Sequence, residues 1–217
     1  MILVTGLPRT ASSFLCEWFA KEGDHMNPKC YSDFLPTNYT VANEMKRQLC
    51  EPITLTHEMT FNRNFERDQI LQEVQNICDN NFDVADGKEQ VLKCALFVFN
   101  LHCLQVFDKV IICTRDKESW IESAKEHGTF NWIYRCRPKW IPDKIFFDII
   151  NSEYPEVAFY DYWFGCCKDA ISFCIAKGIE VIEYKYADNV SFYELSKHFG
   201  LHPMNHEDCS YWVKRRF

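Results

Sequence analysis

Three short, unbroken apolar runs constrain this chain more than any other feature. They are Ile2–Thr5, Lys109–Thr114 (Lys-Val-Ile-Ile-Cys-Thr) and Glu180–Glu183 (Glu-Val-Ile-Glu). A strand with one wet face alternates apolar and polar residues, whereas these runs carry apolar residues at consecutive positions. They therefore read as strands covered on both faces, which is the habit of parallel sheets. A weaker fourth run is Ile53–Thr56. Helical patterns lie between the runs, at Ser12–Lys21, Arg67–Asn80, Leu96–Val106, Lys117–His127, Tyr160–Lys177 and Phe192–Phe199. The last opens on a capping box, Ser191-Phe-Tyr-Glu194, and stops at Gly200. Tyr160–Lys177 runs through Gly178 straight into a strand. Strands alternating with helices of this length predict an α/β protein with a central, mainly parallel sheet flanked by helices. No Gly-, Ser- and Pro-rich linker divides the 217 residues, so residues 1–217 are expected to form a single domain.

Charge and cysteine content narrow the functional classes. Lys plus Arg number 24 against 31 Asp plus Glu, a formal net charge of −7 that argues against a general nucleic-acid binder. A local basic pocket for a small anion remains compatible with it. The longest mostly apolar stretch, Val91 to Phe107, is interrupted by Lys93, Asn100 and His102, so no membrane association is expected. The first apolar run follows Met1 directly, so if Met1 is the natural start no secretory leader is expected. The 12 cysteines form no C-x-x-C pair and sit mainly among apolar neighbours, which reads as reduced, buried thiols. A cytoplasmic protein is expected.

Residues 129–159 stand apart. They hold Trp132, Tyr134, Trp140, Phe146, Phe147, Tyr154 and Phe159 together with Pro138, Pro142 and Pro155. The region reads either as a lid facing an acceptor or as an irregular piece packed on the core.

The first strand leads into a turn with anion-binding chemistry. Residues 5–15 read Thr-Gly-Leu-Pro-Arg-Thr-Ala-Ser-Ser-Phe-Leu. Gly6 lets backbone come close to an anion, and N–H groups of the turn and helix start point inward at it. Thr10, Ser12 and Ser13 offer hydroxyls and Arg9 a positive charge. The NTPase P-loop requires G-x-x-x-x-G-K-[ST]. Here Ala11 stands for the second Gly and Ser12 for Lys, with the basic residue at Arg9.

Gly6-Leu7-Pro8-Arg9-Thr10-Ala11-Ser12-Ser13 resembles the G-x-P-[RK]-[ST]-G-[ST]-[ST] loop of the sulfotransferase family. The departure is Ala11. The resemblance implies a three-layer, P-loop NTPase-like fold. It also implies a loop, Gly6 to Ser13, that holds the 5′-phosphosulfate of 3′-phosphoadenosine 5′-phosphosulfate (PAPS). A second element agrees. Arg115 follows a strand and precedes a helix, and Ser123 lies eight residues on, about two helical turns. This is similar to the family's R-[DN]-P-x-[DE]-x-x-x-S, whose Arg and final Ser hold the 3′-phosphate. Lys117 replaces Pro and Ser119 the acidic residue.

Val91-Leu92-Lys93 resembles the family's "v-l-K-x-P" element, whose Lys stabilises charge on the leaving oxygen. The His that serves cytosolic members as base falls at Ala95 here. Val181-Ile-Glu-Tyr184-Lys-Tyr186-Ala-Asp188 and the helix ending Phe199-Gly200-Leu201 resemble the C-terminal unit of these enzymes. The resembling pieces cover about half the chain.

The resemblance thus implies a PAPS-dependent transferase that moves a sulfuryl group to a hydroxyl or amine of a small molecule or glycan, releasing PAP. Arg9 and Lys93 would carry the transition-state charge. Candidates for the base are His57 and Asp33, then Glu58, with Glu44 a looser choice. No cluster of metal-ligand spacing appears, so no metal is expected. Lys214, Arg215 and Arg216 form a basic tail that reads as solvated. Two other readings stay open. One is a P-loop nucleoside or small-molecule kinase; the other is a nucleotide-binding relative that has lost catalysis.

Overall fold

In the computed structural model, the three apolar runs join a five-stranded sheet, the first two as inner strands and Glu180–Glu183 as an edge strand. The structure describes residues 1–7, 10, 15, 18–19, 26–30, 89–93, 95–99, 101–130 and 141–202, with backbone alone at 26–30, 89–90, 96 and 189. The strands are β1 (Ile2–Gly6), β2 (Met26–Cys30), β3 (Glu89–Lys93), β4 (Lys109–Thr114) and β5 (Glu180–Lys185), in the order β2-β3-β1-β4-β5. Every neighbouring pair is parallel. Ile2 aligns with Val91 on one side and Lys109 on the other, and Gly6 aligns with Cys113.

Alternation along the strands divides their side chains between two separate cores. Leu3, Leu92, Val110 and Ile112 join one, while Ile2, Val4, Val91, Ile111 and Cys113 join the other. Both faces of β1 and β4 are therefore dry, as their unbroken apolar runs predict. The Glu180–Glu183 run does not meet that expectation, because at the edge of the sheet β5 leaves Glu180 and Glu183 exposed and Val181 and Ile182 half-buried.

The first core is covered by α3 (Pro155–Lys177), by α2 (Asp143–Ile150) and by two 3₁₀ segments, Ala95–Phe99 and Leu101–Val106. Trp120 of α1 (Lys117–Glu126) lies between Phe130, Phe159 and Tyr160 there. The second core is covered by helical Leu15, Trp18 and Phe19 and by α4 (Asn189–Phe199). Trp18 packs 4.9 Å from Phe19 and 5.1 Å from Phe192, and its Nε1 donates to the His202 carbonyl at 2.8 Å.

These coverings follow from handedness. The chain leaves β1 towards the β2 edge but crosses from β3 to β4 and from β4 to β5 in the opposite direction. Right-handed crossovers running in opposite directions must lie on opposite faces of a sheet. Leu15, Trp18 and Phe19 accordingly occupy one face and the 3₁₀ segments and α3 the other.

Several sequence expectations need correction. The segment expected as a helix at Leu96–Val106 is 3₁₀ in both of its pieces. It returns along the sheet from the end of β3 to the start of β4, and a 3₁₀ rise of about 2.0 Å per residue covers that distance in fewer residues than an α-helix. The helix expected from Tyr160 begins at Pro155, where the fixed φ of proline suits a first helical position. The predicted capping box is not used. Asp188 caps α4 by accepting from Val190 N, while Ser191 Oγ accepts from Lys185 N at 2.9 Å and so ties the helix to the end of β5.

Strand β2 had no apolar signal. It reads Met-Asn-Pro-Lys-Cys and lies at an edge of the described sheet, where a proline is tolerated. Within residues 129–159, Phe146 and Phe159 are buried in the first core, and Phe147 and Tyr154 are exposed. The expected elements Ile53–Thr56 and Arg67–Asn80, and residues 131–140, lie outside the described residues. No helix among the described residues is long and apolar enough to cross a membrane.

Candidate functional site

Ligands of open parallel sheets bind beyond the carboxyl ends of the strands, where neighbouring connections depart in opposite directions. In this sheet that point lies between β1 and β4. The three strands around it, β3, β1 and β4, end at Lys93, Gly6 and Thr114.

At the end of β1 the chain passes extremely close to β4. Gly6 has φ +122°, and a Cβ placed on it would lie 2.3 Å from the Cys113 carbonyl oxygen. Only glycine fits that backbone and that gap. Leu7 N then donates to the same carbonyl at 2.9 Å, which carries the pairing one residue past the strand. Thr10, fully buried, closes the turn by donating its hydroxyl to the Leu7 carbonyl at 2.7 Å. The expected hydroxyl donor thus gives its proton to the chain itself. Pro8, Arg9, Ala11, Ser12 and Ser13 lie outside the described residues.

Lys93, at the end of β3, continues the face of Val91, as does Gly6 the face of Val4 and Cys113 that of Ile111. An electrostatic link joins these ends. Burial pushes the Cys113 thiol up to about 12, and the nearby Lys93 ammonium and then the Thr10 hydroxyl act against that rise. Lys93 and Thr10 thus both act on one buried sulfur of β4, beside the close approach of Gly6.

Beyond β4, Arg115 occupies a dense set of contacts. Its Nε donates to Ser119 Oγ at 2.8 Å, and its guanidinium carbon sits 4.3 Å from the centre of the Tyr186 ring. Ser119 Oγ in turn donates to Asp116 Oδ2 at 2.5 Å, and Ser119 N to Asp116 Oδ1 at 2.9 Å, so Asp116 caps α1. The Ser119 hydroxyl and N–H, helped by Arg115, hold the Asp116 carboxyl below its ordinary value. Tyr160 Oη donates to the Arg115 carbonyl at 2.7 Å, and Tyr186 N to the Thr114 carbonyl at 2.8 Å. Burial, then Asp116 and Asp161, push the Tyr160 phenol up to about 12.

Ser123, the second member of the expected phosphate pair, is buried on α1 one turn beyond Ser119. Residues four apart share a helix face, so Ser119 and Ser123 are neighbours there.

The structure thus brings Gly6, Thr10, Lys93 and Arg115 to the carboxyl ends of adjacent strands, with Ser123 on the helix that follows. The candidate bases Asp33, His57, Glu58 and Glu44, and the basic residues Lys214, Arg215 and Arg216, lie outside the described residues. Sequence reading missed Ser119 and Tyr186 as partners of Arg115. A signal existed for Ser119, which follows Asp116 by three residues as a helix cap requires; none identified Tyr186. No protein-family model matches the chain, and neither does any curated protein sequence.

Proposed function

We propose that the chain is a sulfotransferase of three-layer, P-loop NTPase-like architecture, moving the sulfuryl group of PAPS to a hydroxyl or amine of a small molecule or glycan. One observation carries the reading. Lys93, the Gly6 turn and Arg115 stand at the ends of three adjacent strands, around the point where the chain reverses its direction across the sheet. Two motifs separated by about a hundred residues in sequence thereby start from neighbouring strand ends.

In this reading the turn from Gly6 to Ser13 holds the 5′-phosphosulfate, and Arg115 with Ser123 holds the 3′-phosphate. Lys93 and Arg9 neutralise charge developing on the leaving oxygen. Sulfuryl transfer is an in-line displacement: the acceptor oxygen or nitrogen forms a bond to sulfur as the bond from sulfur to the phosphate oxygen breaks. The protein contributes alignment and charge stabilisation, and a base drawn from Asp33, His57 or Glu58 takes the acceptor proton.

The test is calorimetric titration with PAP. Wild type binds it, and Arg115→Ala binds it about tenfold or more weakly, the loss expected for one charge-assisted phosphate contact. Lack of binding by wild type, or equal binding by the variant, removes the proposal. Magnesium-dependent ATP turnover would favour a kinase instead.

A further inference from the structure

Two contacts among the described residues fix the side chain of Arg115. Its Nε–H points at Ser119 Oγ, and one face of its guanidinium rests on Tyr186. The first contact is directional because of how the Ser119 proton is used. Ser119 donates its hydroxyl hydrogen to Asp116 Oδ2, which leaves the lone pairs of Oγ to accept from Arg115. The second contact sets the plane of the group. A hydrogen bond within the plane and a ring against its face together define where the guanidinium fork lies. Their anchors are themselves held. Asp116 also accepts from Ser119 N, and Tyr186 N is bonded to the end of β4 through the Thr114 carbonyl.

From this arrangement we infer that Ser119 and Tyr186 are positioning residues that hold the Arg115 fork ready for a phosphate on the nucleotide ribose. The identity of that anion rests on the sulfuryl-transfer reading; the clamp itself rests on the contacts above. A free arginine loses rotamer freedom when it grips a ligand, and a clamped one has already lost it, so the clamp strengthens binding without touching the ligand. The effect is confined to ligands that carry the phosphate Arg115 grips.

The experiment titrates the full chain with two probes: PAP, and adenosine 5′-phosphate, which lacks the 3′-phosphate. Ser119→Ala and Tyr186→Leu are each expected to weaken PAP binding about three- to tenfold, the range set by the entropy of ordering one long side chain. Adenosine 5′-phosphate binding stays within about twofold of wild type. Ser119→Thr and Tyr186→Phe keep the hydroxyl and the ring respectively, and both retain wild-type PAP affinity. If Arg115→Ala loses PAP affinity while Ser119→Ala and Tyr186→Leu do not, the clamp is overturned and the sulfuryl-transfer reading stands. If the two variants lose both probes equally, their role is structural and the inference falls. If wild type binds no PAP, both readings fall together.

Discussion

The ends of β1 and β4 lie side by side, yet they are held by different means. The β1 turn is fixed mainly by backbone, with Gly6 against the Cys113 carbonyl and Leu7 N on that same oxygen, and the Thr10 hydroxyl on the Leu7 carbonyl is the one side-chain contact described there. The β4 turn is fixed by side chains, through the chain of Asp116, Ser119, Arg115 and Tyr186. A backbone device tolerates no added atom but is indifferent to chemistry at the surface. A side-chain device tolerates changes in volume but depends on particular donors and acceptors. Steric change should therefore be severe at β1, and functional-group change graded at β4.

The sharpest way to break the contrast is Gly6→Ala. Its Cβ would meet backbone at 2.3 Å, in a φ region that alanine rarely adopts, so β1 must shift against β4. We expect a loss of about 3 kcal/mol or more, seen in urea denaturation as a lowered midpoint or absence of a cooperative transition. An unchanged midpoint would remove the steric account of this turn.

Thr10→Val keeps the volume but leaves the Leu7 carbonyl without its partner. The expected cost is about 1–3 kcal/mol in the same measurement. At β4, Asp116→Ala removes a helix cap and costs about 0.5–2 kcal/mol; Asp116→Asn, which can still accept at one oxygen, costs less. Should Asp116→Ala prove more damaging than Gly6→Ala, the contrast between the two turns is wrong.

The titrations are the mildest tests. The Asp116 carboxyl is held below its ordinary value of 3.8, so its contribution is present above that pH and is lost as pH falls through the depressed folded value. Asp116→Asn should lack that acid-side loss in a pH series of thermal midpoints. The Cys113 thiol is raised from 9.0 to about 12, so the unfolded chain ionises first on the alkaline side. Its contribution is complete below 9 and declines between 9 and about 12. Cys113 should accordingly react with a thiol reagent at pH 8 far more slowly than a free cysteine, and at full rate after unfolding.

The same division explains what could be read from sequence. β4 was legible residue for residue because a strand dry on both faces must be apolar at consecutive positions, and its Val110–Cys113 stretch is. Gly6 was legible as the residue of a close backbone approach, although the sequence reading aimed that approach at an anion and the structure sets it against the Cys113 carbonyl. Strand β2 was not, since an edge position asks little of its residues and admits Pro28. The α4 cap fell to Asp188, three residues before the expected Ser191, because both can accept a backbone N–H and only tertiary position decides which does. The partnership of Arg115 with Tyr186 joins β4 to β5 across a long connection, and no local spacing encodes it. Arg115 was found from its place after a strand; what holds it was not.

The register of β1 also bears on how the protein comes to be folded. Ile2 finds its partners at Val91 and Lys109, so the central strand has no neighbour until most of the first half of the chain exists. A nucleus built on such distant pairings forms slowly, because the entropy of closing long loops is lost before the contacts reward it. During synthesis, at about 5–20 residues per second, the Ile-Leu-Val edge of β1 stays unpaired for several seconds. The central strand of the native sheet is thus exposed to aggregation for as long as its two partners remain unmade.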